Sequence, residues 1–343
     1  MTFIKNSIIL ISQTKNEEIF MDKFKWCFIG TGSLANTVAS QILKSGKHQV
    51  VTCYSRNKKT SDEFADKYGA KSFSSAEEAI SSEDVDAIYV VTPHNSHHMY
   101  AKMALNLGKP VFCEKPFTVT FEDTEELISL AKEKNLYLCE AMWTWFSPTA
   151  NEVKKWIDEN KAGKITSADF RYHIRTVHYK GRHTDPKRAG GALLDITIYP
   201  ITYAYRLWGL PDKIESSATI KNGIDLNDSI VFTYKNGLKV NISASISDYF
   251  GLETMKIKGD KGTIKAPFFH AYNGVTFKSG FHKETFKGDG PKINSYIDEF
   301  NAVADDIRKG RKESSMVPLK ATADVMKLLD NIREQIGLNY ETE

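Results

Sequence analysis

The glycine-rich stretch that follows residue 29 has the residue types and spacing of a phosphate-binding turn. The apolar run Trp26-Cys27-Phe28-Ile29 leads into Gly30-Thr31-Gly32-Ser33-Leu34-Ala35, a G-x-G-x-x-A pattern that opens a predicted helix over Leu34–Lys44. Gly30 permits the sharp turn from strand to helix, Gly32 leaves room for a pyrophosphate near the backbone, and Ala35 lets the helix pack closely on the strand. The N–H groups at the helix start would face the phosphates, whose charge the helix dipole favours. By itself the pattern is weak, because glycine-rich turns are common.

The residues after the second predicted strand, Val50–Tyr54, bear on which dinucleotide would bind. In an NAD-binding unit an Asp or Glu ends this strand and holds the ribose hydroxyls, whereas this chain has Ser55 and Arg56. A carboxylate would repel a 2′-phosphate, while a guanidinium and a hydroxyl can hold one. The sequence therefore predicts NADP(H) as the preferred cofactor, with NAD(H) as the alternative. The competing interpretation is that Arg56 is a solvated surface residue.

The turn after the third predicted strand contains three histidines. In Thr92-Pro93-His94-Asn95-Ser96-His97-His98 the proline ends the strand, because it cannot continue the hydrogen-bonded ladder. No carboxylate or cysteine stands nearby in the sequence to complete a metal site, so we predict no bound metal. We predict instead that the turn lines the nicotinamide side of the cofactor. Its predicted cofactor contacts are Thr92, Pro93, Asn95 and His97.

A lysine directly follows the fourth predicted strand. Glu114-Lys115-Pro116 comes after Val111-Phe112-Cys113, so Lys115 lies either on the surface or in a site at the carboxyl end of the sheet. A lysine held against a cofactor can lower the pKa of a neighbouring hydroxyl through its charge. We therefore treat Glu114 and Lys115 as candidate site residues that contact the cofactor.

An acid and a phenol share one face of a predicted helix in the second half of the chain. Within the stretch Gly190–Pro200, Asp195 and Tyr199 are four residues apart, which places both side chains on the same helix face. The residues around them are mostly apolar. Such a pair is unusual as packing alone, although a buried Tyr–Asp hydrogen bond is the structural alternative.

The elements that would position these residues follow a βαβ rhythm up to about residue 140. Apolar runs alternate with amphipathic segments of helix length, as in a doubly wound parallel sheet with helices on both faces. In such a sheet ligands bind outside the carboxyl ends of the strands, where the glycine turn, the histidine turn and Lys115 all fall. The predicted strands are Trp26–Ile29, Val50–Tyr54, Ala87–Thr92, Pro110–Cys113 and Tyr137–Glu140, and the predicted helices include Ser61–Tyr68, His97–Leu107 and Phe121–Lys134.

The chain changes character at Ser147-Pro148. A predicted helix over Thr149–Asn160 is followed by segments with the alternation of strands, and Asn236-Gly237 is a strong hairpin signal. The pattern indicates an α+β domain with a mainly antiparallel sheet. One face of that sheet needs a cover, which a second subunit would supply in a homodimer or homotetramer. The predicted strands are Ser167–Arg175, Lys213–Ile220, Asp228–Tyr234 and Leu238–Ile246, a further hairpin lies around residues 259–262, and the closing helices are Ile293–Lys309 and Leu319–Ile336.

Length and composition are those of an ordinary two-domain protein. The 343 residues suffice for two cores, which we place at 22–146 and 147–343, with residues 1–21 as a disordered extension or the product of a misassigned start. A net charge of +3 is too small to indicate nucleic-acid binding, and no apolar run reaches the ~20 residues that span a membrane. Four cysteines without metal-ligand spacing indicate a reducing compartment, for which we expect the cytoplasm.

With these motifs in hand, the chain resembles the Gfo/Idh/MocA oxidoreductases from about Phe24 to near its C-terminus. GTGSLA, TPHNSH, EKP and GGALLDITIYP carry the resemblance, and EKP, about 80 residues after the glycine turn, is its most specific part. EAMWTWF and LLDITIYP are most similar to the branch of trans-1,2-dihydrodiol dehydrogenase and NADP-dependent xylose dehydrogenase. The resemblance implies an N-terminal Rossmann domain, a C-terminal open-faced β-sheet domain that mediates oligomerisation, and hydride transfer between NAD(P) and a sugar, cyclitol or diol carbon.

The resemblance also implies roles for the candidate catalytic residues Lys115, Tyr199 and Asp195. Lys115 would touch both substrate and nicotinamide ribose, and Tyr199 takes the position that many members fill with a histidine acting as general acid or base. A phenol has an unperturbed pKa near 10, so Tyr199 would need Lys115 beside it to act near neutral pH. Asp195 would hold Lys115 or a substrate hydroxyl. His97 matches the family's loop histidine, which implies a cofactor or substrate contact.

Two groups of side chains are candidates for the substrate pocket. Trp143, Trp145 and Phe146 follow the fifth predicted strand; they would suit an apolar planar substrate, or they form core between the domains. A hydroxyl-rich substrate would instead call for polar residues. The candidates of that kind are Arg175, His178, Arg182 and His183. Two alternative functions stay open, a cofactor-binding regulator without turnover and a reductase of an imine or a linear tetrapyrrole.

Overall fold

The computed structural model describes residues 22–175, 181–270, 274–288 and 295–340, so the N-terminal extension predicted at residues 1–21 lies outside the described part. The first of two β-sheets contains β1 Phe24–Ile29, β2 His48–Tyr54, β3 Lys71–Ser72, β4 Ala87–Val90, β5 Val111–Glu114 and β6 Leu138–Ala141. The strands are parallel and lie in the order β3-β2-β1-β4-β5-β6. Chain order reverses between β1 and β4, so a cofactor crevice is expected there.

Alternate residues of β1 supply the cores on the two faces of this sheet. Trp26 and Phe28 pack in one core, and Cys27 and Ile29 pack in the other, because successive side chains of a strand point to opposite faces. A parallel sheet that is covered on both sides therefore reads as a continuous apolar run. The helices around it are α1 Ser33–Lys44, α2 Lys58–Tyr68, α3 Ala76–Ile80, α4 His97–Asn106 and α5 Phe121–Glu133.

The second sheet has eight strands in the order β14-β13-β12-β11-β7-β10-β9-β8. Its central neighbours, β7 and β10, run parallel, and every other neighbouring pair is antiparallel. The strands are β7 Ile165–Arg175, β8 Lys213–Lys221, β9 Ile224–Thr233, β10 Lys239–Ser245, β11 Ser247–Gly259, β12 Thr263–Pro267, β13 Val275–Ser279 and β14 His282–Phe286.

The two faces of the second sheet differ in polarity. Inward residues such as Phe170 and Ile242 are buried toward α6 Pro148–Asp158 and α7 Ile198–Trp208. Their strand neighbours Arg171 and Asn241 are exposed, so the opposite face carries polar side chains. We call this second, uncovered side the open face.

Two helices near the C-terminus pack against the first sheet, and the second of them also reaches the other sheet. Phe300, on α8 Ile297–Arg308, is fully buried and packs against aromatic rings of the first sheet, with its ring centroid 4.8 Å from that of Trp26 and 5.2 Å from that of Phe112. On α9 Leu319–Ile336, the Thr322 hydroxyl donates to Glu140 of β6 at 2.9 Å. The same helix reaches the second sheet, where its Gln335 side chain accepts a hydrogen bond from the backbone N–H of Ser216 in β8 at 3.0 Å.

The predicted fold class, a doubly wound parallel sheet followed by a mainly antiparallel sheet with helices, is confirmed. The hairpin predicted around residues 259–262 joins β11 to β12. Sequence patterns missed β3 and α3, which are too short to show a period, and they missed β13 and β14. The stretch predicted as one helix around Asp195 begins instead as a π-helical turn, Leu193–Thr197, before α7. The closing helix predicted from Ile293 is described from Ile297, and residues 293 and 294 lie outside the described part.

Two further observations concern membrane-spanning helices and the cysteines. Within the described ranges, none of the helices is both long enough and apolar enough to cross a bilayer. Cys27, Cys53, Cys113 and Cys139 are all buried free thiols.

Phe300 is expected to be a main contact between the C-terminal helices and the first sheet. Replacing Phe300 with Ala leaves a cavity among fully buried aromatic rings, and such truncations cost about 3–5 kcal/mol of the free energy of unfolding. Urea unfolding monitored by circular dichroism measures this loss. The matched control is Phe281→Ala, because Phe281 is fully exposed. Equal stability of the two variants would contradict this account of the packing.

Candidate active site

A cleft of about 930 Å³ lies at the carboxyl ends of β1, β2 and β4. This is the edge of an open parallel sheet at which nucleotides bind. Nine predicted cofactor residues line it, namely Gly30, Thr31, Gly32, Ser33, Leu34, Ser55, Arg56, Thr92 and Pro93. The lining residues that were not predicted as cofactor contacts are Thr37, Tyr54, Thr60, Val91, Ser96, Tyr100, His183 and Tyr296.

The glycine turn at the start of the cleft has a shape that fits a dinucleotide. Gly30 has φ +110°, and a Cβ there would lie 2.5 Å from the carbonyl oxygen of Val91, so only glycine fits. Gly32 has open space where a side chain would project. It also precedes α1 without any side-chain hydrogen bond to the first turn, which leaves that turn's N–H groups to an anion. These observations fit a bound pyrophosphate.

The residues after β2 fit a phosphate on the ribose. Ser55 and Arg56 both line the cleft, and the Thr60 hydroxyl lies 3.5 Å from the Ser55 hydroxyl. The carboxylate that an NAD-specific site would place here is missing from the sequence. Among the described residues, no carboxylate pairs with Arg56. Its guanidinium can therefore form charge-assisted hydrogen bonds to a 2′-phosphate.

Lys115 is the centre of a second group of residues, which joins the two sheets. It follows β5 and is 8% exposed. Its Nζ donates a hydrogen bond to the backbone carbonyl of Asp195 at 2.6 Å and lies 3.5 Å from Asp195 Oδ1. The same nitrogen lies 4.7 Å from the ring centroid of Tyr199. The structure thus brings together the three residues predicted to be catalytic.

The Asp195 carboxylate has two cationic or hydrogen-bonding neighbours. Its Oδ2 lies 2.7 Å from Nδ1 of His183, which also lines the cofactor cleft. Burial alone would raise the pKa of Asp195, but the charge of Lys115 and the hydrogen bond from His183 outweigh it, and the pKa lies well below its ordinary value. Asp195 is therefore an ionised group at neutral pH and does not store a proton.

Two phenols lie near this carboxylate, and they differ in their surroundings. The Tyr199 hydroxyl accepts a hydrogen bond from Trp143 Nε1 at 3.1 Å, and the ring lies under the Lys115 ammonium. Tyr172, on β7, is buried, and burial together with the nearby Tyr199 and Glu253 raises its pKa well above 10. Tyr172 therefore remains a neutral hydrogen-bond donor at neutral pH, whereas Tyr199 is the phenol that lies beside the Lys115 cation.

Tyr172 belongs to a chain of polar groups that sequence reasoning did not identify. Its hydroxyl lies 3.2 Å from Nε2 of His270, whose Nδ1 lies 2.6 Å from the buried Glu253 carboxylate. The His270 ring stands 5.4 Å from Trp143 and 5.8 Å from Tyr199, measured between centroids. No local pattern marks these residues, because they come from β7, β11 and the loop after β12.

Several predicted cofactor residues lie in the frame around the cleft and do not line it. His97 is fully buried, with Nδ1 2.8 Å from the Pro116 carbonyl and Nε2 2.9 Å from the Thr92 carbonyl. Glu114 is buried and accepts a hydrogen bond from the Tyr89 hydroxyl at 2.5 Å. Ala35 is fully buried and Asn95 is half-buried. His97 thus connects the two loops that carry Thr92 and Lys115, and Glu114 accepts a hydrogen bond from the backbone N–H of Lys115.

The two predicted groups of substrate residues lie in different surroundings. Trp143 contacts Tyr199, whereas Trp145 stacks on Tyr205 of α7 at 6.4 Å between ring centroids. Phe146 is buried. Of the polar group, His183 contacts Asp195, while His178 and the side chains of Arg175 and Arg182 lie outside the described part of the chain.

No group of three or more His, Cys, Asp or Glu side chains in the described ranges is arranged to hold a metal ion. The histidines of the turn after β4 contact other groups instead. His94 Nδ1 lies 3.2 Å from the Ala189 carbonyl, and His98 Nε2 lies 2.6 Å from a Glu126 carboxylate oxygen.

Two protein-family models match the chain. Residues 24–141 match the model described as an oxidoreductase family with an NAD-binding Rossmann fold, and residues 150–265 match the GFO/IDH/MocA C-terminal domain. The chain is 29% identical to trans-1,2-dihydrobenzene-1,2-diol dehydrogenase of Mus musculus, over 92% of this chain and 98% of that protein. It is 27% identical to D-xylose 1-dehydrogenase (NADP(+)) of Hypocrea jecorina, over 92% of this chain and 93% of that protein.

A solved structure shows the same fold at lower sequence identity. The 3-ketoreductase KijD10 from Actinomadura kijaniata, in complex with NADP and TDP-benzene, matches with a TM-score of 0.83 at 21% identity. The match covers 92% of this chain and 98% of that chain.

Replacing Arg56 with Ala should weaken NADPH binding and leave NADH binding almost unchanged. A hydrogen bond to a charged group contributes about 1.5–3 kcal/mol, which corresponds to a loss of about 10- to 150-fold in affinity. Fluorescence titration with each cofactor measures the two dissociation constants. Lys59→Ala, which removes a nearby exposed cation, is the control for a general charge effect. An equal loss for NADPH and NADH would contradict the assignment of Arg56 to the 2′-phosphate.

Proposed function

The chain belongs to the Gfo/Idh/MocA oxidoreductase family, and on that premise we propose that it is an NADP(H)-preferring dehydrogenase of a secondary alcohol or hemiacetal carbon. Its substrate would be a sugar, a cyclitol or a trans-diol, or the corresponding carbonyl compound in the reverse direction. The observation that carries this proposal is the position of Lys115, between the Asp195 carboxylate and the Tyr199 ring. The mouse relative named a diol dehydrogenase and the fungal relative named a xylose dehydrogenase support the substrate class.

In the direction of oxidation, Tyr199 takes the proton of the substrate hydroxyl. An unperturbed phenol has a pKa near 10, so its anion must be stabilised for this step at neutral pH. The Lys115 ammonium near the ring and the Trp143 N–H at the oxygen both favour the phenolate. The nicotinamide of the cofactor supplies the hydride chemistry.

Asp195 keeps Lys115 in place for this role. The backbone carbonyl and the carboxylate of Asp195 both face the lysine ammonium, which limits its rotamers. Lys115 is then held beside Tyr199, where it can also orient the substrate oxygen. In reduction the same groups act in reverse, with Tyr199 giving its proton to the carbonyl oxygen.

We also propose how the chain is organised. A Rossmann domain at 22–146 and a substrate domain at 147–343 correspond to the two sheets, although α8 packs on the first sheet. The open face of the second sheet would be covered by a second copy of the chain, as a dimer or a tetramer. Four buried free thiols are typical of a reducing compartment, so we place the protein in the cytoplasm.

The reaction is tested first with the purified protein, NADP and NAD, and a panel of aldoses, inositols and trans-diols. We expect cofactor reduction, monitored by the absorbance of the reduced nicotinamide, with NADP preferred. The panel reveals the substrate class directly. Binding of NADPH without turnover of any compound would instead favour a cofactor-binding regulator or a substrate outside the panel.

The catalytic assignment is tested by Tyr199→Phe and Lys115→Met. Each should lower turnover of the best panel substrate by roughly 10²- to 10⁴-fold and leave NADPH binding largely intact. Tyr203→Phe is the matched control, because Tyr203 is one turn further along α7 and buried. Turnover of Tyr199→Phe at half the wild-type value or more would exclude this assignment.

The oligomer is tested at the exposed aromatic residues beside the open face. Tyr249 and Phe250, near the start of β11, are 65% and 78% exposed and contact each other edge to face. Tyr249→Ser/Phe250→Ser should shift the protein toward a monomer in light scattering after size exclusion, since exposed apolar patches mark interfaces. The control is Phe281→Ser, at an exposed aromatic in the β13–β14 turn. A monomeric wild-type protein would refute the proposed assembly.

A further inference from the structure

Two buried carboxyl groups lie beneath the turn that carries Asp195. Asp225 and Asp228, both on β9, are 0% and 3% exposed. Asp225 Oδ2 accepts a hydrogen bond from the backbone N–H of Leu193 at 2.5 Å, and Asp228 Oδ2 accepts one from the Thr197 hydroxyl at 2.5 Å. The first and the last residue of the π-helical turn Leu193–Thr197 are thus each held by one carboxyl group.

The backbone just before this turn also packs closely against Asp225. Gly191 has φ +120°, and a Cβ at this position would lie 2.0 Å from Asp225 Oδ1. The backbone therefore approaches the carboxyl group as closely as only a glycine permits. A π-helical turn is a rare form of backbone that is found mostly at functional sites. Here it presents both the carbonyl and the carboxylate of Asp195 to Lys115.

The two carboxyl groups also lie close enough to form a hydrogen bond with each other. Among the described residues, neither Oδ1 atom has an N–H or O–H donor. Two ionised carboxylates can only accept hydrogen bonds, so the pair must hold a proton between them. The backbone N–H groups of Leu193 and Ala192 point at Asp225, which makes it the ionised partner. Asp228 is then the one that carries the proton.

The charges around the pair agree with this assignment. Burial raises the pKa of Asp225 to about 6, and burial together with the Asp225 charge raises the pKa of Asp228 well above its ordinary value. Among the described residues, the buried Tyr340 phenol lies near the pair, and Arg333 and Asp330 of α9 lie near that phenol. His173 and Asp248 line a pocket on the open face together with Asp228.

We propose that Asp225 and Asp228 are positioning residues, whose hydrogen bonds to Leu193 and Thr197 fix the π-helical turn and thereby set Asp195 and Lys115 in their catalytic geometry. This inference rests on the proposed function, because it assigns the pair to the same reaction. We call these two contacts the clamp: Asp225 binds Leu193 at the start of the turn, and Asp228 binds Thr197 at its end. Loss of either part would let Asp195 move relative to Lys115 without touching the cofactor cleft.

The test compares two replacements of Asp228 that have nearly the same shape. Asp228→Asn keeps a donor toward Asp225 and an acceptor for Thr197, so it imitates the protonated acid. Asp228→Leu keeps the branched shape and loses both hydrogen bonds. We expect Asp228→Asn to retain kcat within about threefold and Asp228→Leu to lose at least about tenfold in kcat, with KM and the NADPH dissociation constant nearly unchanged. Thr197→Val removes one bond of the clamp by a milder change and should lower kcat in the same direction.

The pH dependence of stability tests the shared proton without any substrate. The folded pair keeps a proton that the unfolded chain releases above about pH 4, so folded wild-type protein binds more protons and loses stability as the pH rises. Asp228→Asn has no such proton. The melting temperature of Asp228→Asn minus that of the wild type should therefore increase steadily from pH 5 to pH 8. A constant difference over this range would overturn the shared proton.

The kinetic outcomes separate this inference from the proposed function. If Lys115→Met retains turnover, the proposed function fails, whatever the Asp228 variants do. If Lys115→Met is inactive and Asp228→Leu is as active as the wild type, the positioning role is wrong and the proposed function stands. If Asp228→Asn is as impaired as Asp228→Leu, the pair does not work through a shared proton.

Discussion

The contact between Lys115 and Asp195 is the constraint on which the rest of the site depends. Each of the two side chains is less than a tenth exposed, and taking charges of this kind out of water costs several kcal/mol per ion. The hydrogen bond from Lys115 to the Asp195 carbonyl and the contact of His183 with its carboxylate offset part of this cost. A buried pair of this kind adds little to stability, so its value lies in holding one cation at a defined place.

Lys115 occupies this position because the first sheet meets the turn and helix that cover the second sheet. Lys115 follows a strand of the first sheet, whereas Asp195 and Tyr199 stand on the turn and helix that cover the second. Their distance of a few ångströms therefore depends on elements that connect the sheets, above all α9. The Thr322 hydroxyl on α9 binds Glu140 of β6, and Phe300 on α8 fills the aromatic core of the first sheet. Contacts that lie outside the site therefore align the cofactor cleft with the proposed catalytic residues.

The sequence predicted those parts of the site whose position follows from a local rule. The glycine turn and Lys115 follow parallel strands, and the carboxyl ends of such strands share one edge. Asp195 and Tyr199 are four residues apart. Tyr172, His270 and Glu253 meet only through strand register and a loop, and no spacing within the chain encodes such a meeting. His97 and Glu114, which the sequence also predicted as cofactor contacts, are buried and do not line the cleft.

The buried acids near Lys115 differ in how their surroundings shift their pKa. Burial raises the pKa of Glu140 to about 7 and that of Glu299 well above its ordinary value, with the charge of Glu114 adding to both. Asp195 differs because Lys115 and His183 face it directly, and its pKa falls. If every buried acid were ionised, their combined field would offset the lysine charge and weaken its hold on a Tyr199 phenolate. Asp195 is the carboxylate in direct contact with Lys115, so it sets the position of the ammonium beside the Tyr199 ring.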